Sequence, residues 1–242
     1  MFVHYRTQGI ILAQKERGEA DLLFAIYTKD FGRLEILGKA IRKISSKLRS
    51  GAELFYLSEI EFIQAKARKT LTDAIPIEKL ENIRQDSKRL EAAYKISEVL
   101  DELIKGQEPD ENIWQLIEES FKKLNTLRLA PNALRLIYHY FLWNFLSLLG
   151  YRPQIHDCVS CQKALTPEDL FFVPGAGGVV CKNCASGVKE KKEVLPETIK
   201  ILWLILDRNW QILSRLEEEK EHLKNLETIS DYYFRFVLEE TR

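Results

Sequence analysis

Long hydrophobic runs are missing from this sequence. No segment approaches the roughly eighteen apolar residues of a membrane span, and the richest stretch, Leu134 to Leu149, is interrupted by Arg135, His139 and Asn144. An excess of charge is missing too: 36 Lys and Arg balance 36 Asp and Glu, so the formal net charge is zero. A nucleic-acid partner therefore cannot be argued from the whole-molecule charge, only from local patches. Histidine is scarce, and His4, His139, His156 and His222 form no metal-ligand spacing. No P-loop, no G-x-G-x-x-G after a strand and no G-x-S-x-G occurs. The string 174–178, PGAGG, lacks the Lys-Ser/Thr of a phosphate loop and reads as a turn. These absences lead to the expectation that the chain is not an enzyme. The first residues, MFVHYRTQGIILAQKERGEADL, hold only a short apolar stretch and early acids, unlike a signal peptide. A cytoplasmic location with no membrane partner is expected.

Cysteine is sparse but ordered. All four fall in one pattern, Cys158-x2-Cys161, nineteen residues, Cys181-x2-Cys184. A C-x2-C turn aims two sulfurs at one point, and two such turns complete a tetrahedron. In a reducing compartment paired thiols favour metal over disulfide. One structural Zn2+ per chain is expected, held by Cys158, Cys161, Cys181 and Cys184. Four thiolates leave no open coordination position, which argues against catalysis there. Iron in a rubredoxin-like site, or a metal-free or disulfide state, fits the same spacing. His156, two residues before Cys158, is expected at the surface or behind the ligands.

Residues 1–80 read as β structure: Thr7–Ala13, Asp21–Thr28, Arg33–Gly38, Leu54–Gln64, and a short Thr70–Ile75 ended by Pro76. Lys29 to Gly32 carries turn chemistry for a hairpin. Five short strands suit a small Greek-key barrel such as an OB-fold, or another small sheet or SH3-like barrel. From Pro76 the apolar period becomes helical. Helices are expected over Ile77–Lys105, in one or two pieces, over Asp110–Arg128 and Asn132–Leu149, and over 196–216 and 217–240. The Asn132–Leu149 segment is apolar nearly all round, the mark of a buried central helix. The expected architecture is α+β and multidomain: an OB-fold barrel at 1–78, a helical bundle at 79–150 and 191–242, and a zinc-finger-like four-cysteine module inserted at 151–190.

The charge is not evenly spread. Residues 1–80 carry a net of +4 and the remainder −4. Between Lys39 and Ser50 lie Lys39, Arg42, Lys43, Lys47 and Arg49 with no acid, and Ser45, Ser46 and Ser50 add hydroxyls. Cations and donors following a strand suit phosphate oxygens; a solvated basic loop is the plainer alternative. Lys66, Arg68 and Lys69 form a second cluster at an expected hairpin tip. Tyr5, Phe24, Tyr27, Phe31, Phe55, Tyr56 and Phe62 could offer stacking surfaces, with Phe24 and Phe62 expected in the core.

Several strings, in order, resemble the RecO family of bacterial DNA-repair and recombination mediators. They are Gly9-Ile-Ile-Leu, Thr28-Lys-Asp-Phe-Gly-Arg33, Leu37-Gly-Lys39-Ala-Ile-Arg42-Lys43, Ser46-Lys47-Leu48, Leu149-Gly-Tyr-Arg-Pro153 and Cys158-Val-Ser-Cys161. The resemblance covers essentially the whole chain; only some family members carry the cysteine site. It implies an N-terminal OB-fold, a helical domain and a zinc-finger-like insert. It further implies binding of single- and double-stranded DNA and strand annealing without ATP. The implied partners are RecR and the acidic tail of single-strand-binding protein, acting together to load RecA. Lys39, Arg42 and Lys43 fall where the family presents cations to DNA, and Lys47 and Arg49 extend that patch. Arg128, Arg135 and Arg152 are candidates for the rim of a groove for the acidic tail. The competing expectation is a helical adaptor with a zinc clamp and no annealing activity.

Overall fold

A computed structural model describes residues 3–65, 68–126, 131–216 and 219–241. The chain forms two compact units, Met1–Leu127 and Arg128–Arg242. Among the described residues no helix is long and apolar enough to cross a membrane.

The first unit contains β1 (Val3–Arg17), β2 (Asp21–Thr28), β3 (Gly32–Gly38), β4 (Leu57–Ala65) and β5 (Arg68–Glu78). Pairing is antiparallel except between β3 and β5. The order β1-β2-β3-β5-β4 returns to β1, so the sheet closes as a barrel. Closure depends on the length of β1. Residues 3–10 pair with β4 and residues 9–17 with β2, and a bulge between Ile11 and Ala13 bends the strand. Ile11, Phe24, Ile26, Leu34, Ile36, Ile60, Phe62 and Leu71 point inward and fill the interior.

The strand limits show which local signals were sufficient. β2 spans the expected residues, and Thr28 pairs with Gly32 across the expected turn. β1 runs well beyond Thr7–Ala13 at both ends, because main-chain pairing tolerates polar, exposed side chains there. β4 starts at Leu57 rather than Leu54. Phe55 takes a φ of +63°, leaves the sheet and buries its ring against Tyr94 and Phe121. β5 continues through Pro76. Pro76 stands opposite Ser58 beside a bulge, where a missing N–H costs least.

α1 (Glu81–Gln85), α2 (Ser87–Leu103) and α3 (Glu111–Asn125) complete this unit. The Asp86 carboxylate accepts from the N–H groups of Lys88 and Arg89, and Asp110 accepts from those of Asn112 and Ile113. Both aspartates satisfy donors that a helix start leaves unpaired. The Arg89 guanidinium donates to the carbonyls of Leu124 and Thr126 at 2.6 and 2.5 Å, closing the end of α3.

In the second unit α4 (Pro131–Leu148) is the central helix, with Leu136, Ile137 and every residue from Tyr140 to Leu146 buried. It is followed by β6 (Leu170–Val173), β7 (Gly178–Cys181), α5 (Lys182–Ala185), β8 (Lys192–Glu193), α6 (Pro196–Leu206), α7 (Trp210–Leu213) and α8 (Lys220–Glu240). Polar groups inside the helical core are paired. Trp143 Nε1 donates to Ser230 Oγ at 2.9 Å, and His139 Nδ1 lies 3.0 Å from the same oxygen. Asn144 Nδ2 donates to the carbonyls of Tyr140 and Ile205. β6 is flanked by β7 and β8 in a small antiparallel sheet. Phe172 of β6 is fully buried, edge-on to both Trp143 and Tyr233. This ring anchors the cysteine-bearing sheet to α4 and α8. The expected turn at 174–178 is a short 3-10 turn between β6 and β7.

Candidate metal centre and nucleic-acid interface

Cys158 and Cys161 sit on a tight turn. The Cys158 N–H donates to the Lys163 carbonyl at 2.9 Å, and the Gln162 N–H donates back to the Cys158 carbonyl at 2.8 Å. Cys181 ends β7 and Cys184 lies on α5. The Val159 N–H donates to the Val179 carbonyl at 3.0 Å, which draws the first turn onto β7. As a result the four sulfurs all lie within 4.8 Å of one another. Cys161 and Cys181 Sγ are 4.0 Å apart, whereas a disulfide needs about 2 Å. A tetrahedral ion with metal–sulfur bonds of about 2.3 Å needs sulfurs roughly 3.8 Å apart. The set therefore lies close enough to hold a metal ion, and four thiols are the donors a thiophilic divalent ion takes.

Protonation points the same way. Burial on its own raises the Cys158 thiol. The backbone N–H groups of Cys181, Cys161 and Ser160, with the Cys161 side chain, outweigh it and hold Cys158 at about 6. Cys184 is instead pushed up to about 12, by hydrogen bonding among the clustered Cys181, Cys161 and Cys158, then by burial and the Cys158 charge. Four sulfurs at one point cannot all ionise unless a cation compensates them. Cys158 packs with Val173, Val180 and Ala185 in a small apolar shell. His156 is exposed and outside the sulfur set. Among nearby lysines, Lys182 pairs with Asp169, Lys191 lies over Phe171, Lys192 lies near Tyr232, and Lys189 is exposed.

Lys39, Arg42, Lys43, Lys47 and Arg49 are all exposed on one loop between β3 and β4, and residues 47–50 form a 3-10 turn. The loop is held at several points. Ile41 is buried in the barrel core and Leu48 packs against it. The Arg42 N–H donates to the Ala20 carbonyl at 3.0 Å, and the Ala40 N–H to Asp21 Oδ1 at 2.7 Å. Arg42 also pairs with Glu16 at 3.1 Å. Among the described residues no ion pair engages Lys39, Lys43, Lys47 or Arg49. Gly51 closes the loop against β5: a Cβ there would lie 1.8 Å from the Ala74 carbonyl oxygen. Gly51→Ala is therefore expected to cost about 1–3 kcal/mol, read as a lower denaturant midpoint, and to loosen the loop's cations.

The other cationic cluster goes elsewhere. Lys66 lies outside the described residues. Arg68 and Lys69 open β5 and line a cleft with Arg17, Arg33 and Lys105. Only Arg68 and Lys69 are neighbours in sequence; Arg17, Arg33 and Lys105 come from distant segments, so no local pattern signals their joining that pair. Phe24 and Phe62 lie in the core as expected, and of the other rings Tyr27, Phe55 and Tyr56 are buried while Tyr5 and Phe31 are half-buried. Tyr5 stacks on Phe62, and both rings meet Phe31 edge-on. Rings that fill a barrel cannot also face solvent. Of the expected rim arginines, Arg128 lies outside the described residues, Arg135 pairs with Glu227 at 3.1 Å, and Arg152 is exposed. An apolar groove of about 760 Å³ in the same unit is lined by Ile155, Leu165, Leu170, Ile199 and Trp203, with Lys200 beside them.

A five-stranded N-terminal barrel, a helical C-terminal part and four clustered thiols define an α+β protein class. Residues 1–80 match the family model described as Recombination protein O N terminal, and residues 84–242 match Recombination protein O C terminal. The chain belongs to the RecO family. It is similar to the DNA repair protein RecO of Dehalococcoides mccartyi, 29% identical over 97% of this chain and 91% of that protein. It is also similar to the DNA repair protein RecO of Moorella thermoacetica, 31% identical over 88% and 78% of the two chains. The DNA repair protein RecO of Rubrobacter xylanophilus is 32% identical over 75% and 72%.

Proposed function

We propose that this protein is a non-catalytic DNA-binding mediator of recombinational repair that anneals complementary strands without ATP. The observation that carries the reading is family membership across both halves of the chain. The barrel is read as an OB-fold, and the 39–50 loop as its main DNA contact. A cationic loop neutralises phosphates and releases their counterions, so binding depends steeply on salt. The burial of Phe24, Tyr27 and Phe62, with Tyr5 and Phe31 packed against the core, supports annealing in particular. A strand held by its phosphates, without base stacking on protein rings, keeps its base edges free to pair with a second strand.

The ion at Cys158, Cys161, Cys181 and Cys184 is read as one structural Zn2+. Its role would be to hold the insert in shape, since four protein sulfurs fill its coordination. In the cell, the partners would be RecR and the tail of single-strand-binding protein, with RecA loaded on the exposed strand and the protein cytoplasmic. An acidic, apolar tail needs an apolar groove beside a cation; the groove with Trp203 offers Lys200, with Glu197 also in its lining.

Complementary labelled oligonucleotides mixed with the protein at low salt, with no nucleotide, test the reading. Duplex formation is expected to accelerate well above the spontaneous rate and to return to it as salt rises. Binding without acceleration would leave a DNA-binding protein that is no annealer. No binding at all would favour the adaptor reading instead.

A further inference from the structure

We infer that the cleft lined by Arg17, Arg33, Arg68, Lys69 and Lys105 is a second phosphodiester-binding site, separate from the 39–50 loop. The inference rests on the reading of the chain as DNA-binding. The cleft has a volume of about 660 Å³ and its lining includes one carboxylate, Glu35. Arg33 is paired with Asp101. Lys105 Nζ donates to the Asp101 carbonyl at 2.9 Å, which leaves an ammonium group two further donors. Among the described residues no ion pair engages Arg17 or Arg68. Inorganic phosphate would occupy two or three of these cations; a chain of phosphates could use all five.

The cleft is built rather than incidental. One wall is the connection between α2 and α3, and three contacts fix it. Gly32, at a φ of +61°, comes so close that a Cβ would lie 2.5 Å from the Glu108 carbonyl oxygen. Lys69 Nζ donates to Gln107 Oε1 at 3.0 Å. Asp110 lies against Tyr27 and caps α3. Lys69 and Lys105, tethered to Gln107 and to the Asp101 carbonyl, lose little freedom when a ligand binds.

The cleft is also distinct from the loop. Glu16 and Arg17 are successive residues of β1, so their side chains point to opposite faces. Glu16 lines a depression of about 410 Å³ with Arg42 and Arg49, while Arg17 lines the cationic cleft. A neighbouring hollow on the Arg17 side is bordered by Glu98, Asp101 and Glu102 of α2. Those carboxylates disfavour a polyanion in the neighbouring hollow relative to the cationic cleft.

The test is the full-length double variant Arg17→Ala with Lys105→Ala, titrated against a labelled oligothymidylate beside the wild type and the Lys39→Ala/Arg42→Ala/Lys43→Ala variant. Arg17 and Lys105 are exposed, so an unchanged thermal midpoint is expected to confirm the fold. Affinity at low salt is expected to fall roughly tenfold, and the salt slope to flatten by about 1.4, two single-strand phosphate contacts. Inorganic phosphate is expected to compete no better than chloride at the same ionic strength. Unchanged affinity and slope, with the wild type binding normally, would overturn the second site and leave the DNA reading standing. Specific competition by inorganic phosphate would also overturn it, assigning the cleft to small anions. Failure of the wild type to bind would overturn the DNA reading itself and the second site with it.

Discussion

Replacing Lys39, Arg42 and Lys43 together by alanine is expected to weaken single-strand binding roughly thirtyfold or more at low salt. It should also flatten the salt slope by about 2. The three side chains are exposed, whereas the loop is held by Ile41, Leu48 and main-chain hydrogen bonds. The barrel should therefore keep its denaturant midpoint. Arg42 already faces Glu16 at 3.1 Å, so its share should be the smallest of the three. An exposed pair of this kind contributes little to folding. Glu16→Gln makes the complementary test: releasing Arg42 from its carboxylate should tighten binding modestly. Equal affinity of the triple variant and the wild type in an anisotropy titration would remove the loop from the interface.

Stripping the proposed Zn2+ should have the other large effect, and a local one. One equivalent of Zn2+ per chain is expected by elemental analysis, and well under half an equivalent in chelator-free protein would sink the zinc reading. After removal the clustered thiolates lose the cation that compensates them, leaving the Val159–Val179 hydrogen bond and a small apolar shell to hold the two turns together. Structural zinc contributes about 10–16 kcal/mol of apparent binding energy in small peptides, far more than the few apolar residues around Cys158 supply. Amide exchange should therefore rise sharply over residues 156–169 and 182–190. β6 should stay protected, because Phe172 is buried against Trp143 and Tyr233. Cys161→Ser should reproduce the pattern without chelator.

The dependence on pH has a definite sign. Metal binds thiolates, so each proton competes with it and affinity falls as pH falls. In the metal-free chain Cys158 is held at about 6, below its ordinary 9.0. The stability it contributes is fully present above the ordinary value and is lost as pH falls through about 6.

Particular residues show what was legible along the chain. The Asp21–Thr28 strand was readable because a run of apolar and aromatic residues ends in turn chemistry at Lys29 to Gly32. The ends of β1 were not, because polar residues pair through their main chains as well as apolar ones do. The break at Phe55 and the continuation through Pro76 depend on what packs opposite them, Tyr94 and Phe121 in one case and Ser58 in the other. The strands of the cysteine sheet are four residues or fewer, too short for a periodic signal. Phe24 and Phe62 are in the core as expected, whereas Tyr27, Phe55 and Tyr56 are buried rather than open for stacking, because ring type alone does not tell which rings the fold covers.

By itself the sequence determined the four-thiol donor set, the basic 39–50 loop, the change from strands to helices near Pro76 and the family. The first three are carried by spacing or composition within a short window, where covalent connectivity already limits the geometry; the family is carried by the order of short strings along the whole chain. Only the tertiary structure decided that the barrel closes, that Tyr27, Phe55 and Tyr56 are buried, and that Arg17, Arg33 and Lys105 join Arg68 and Lys69 in one cleft. These depend on pairing and packing between residues distant along the chain, which no local pattern encodes.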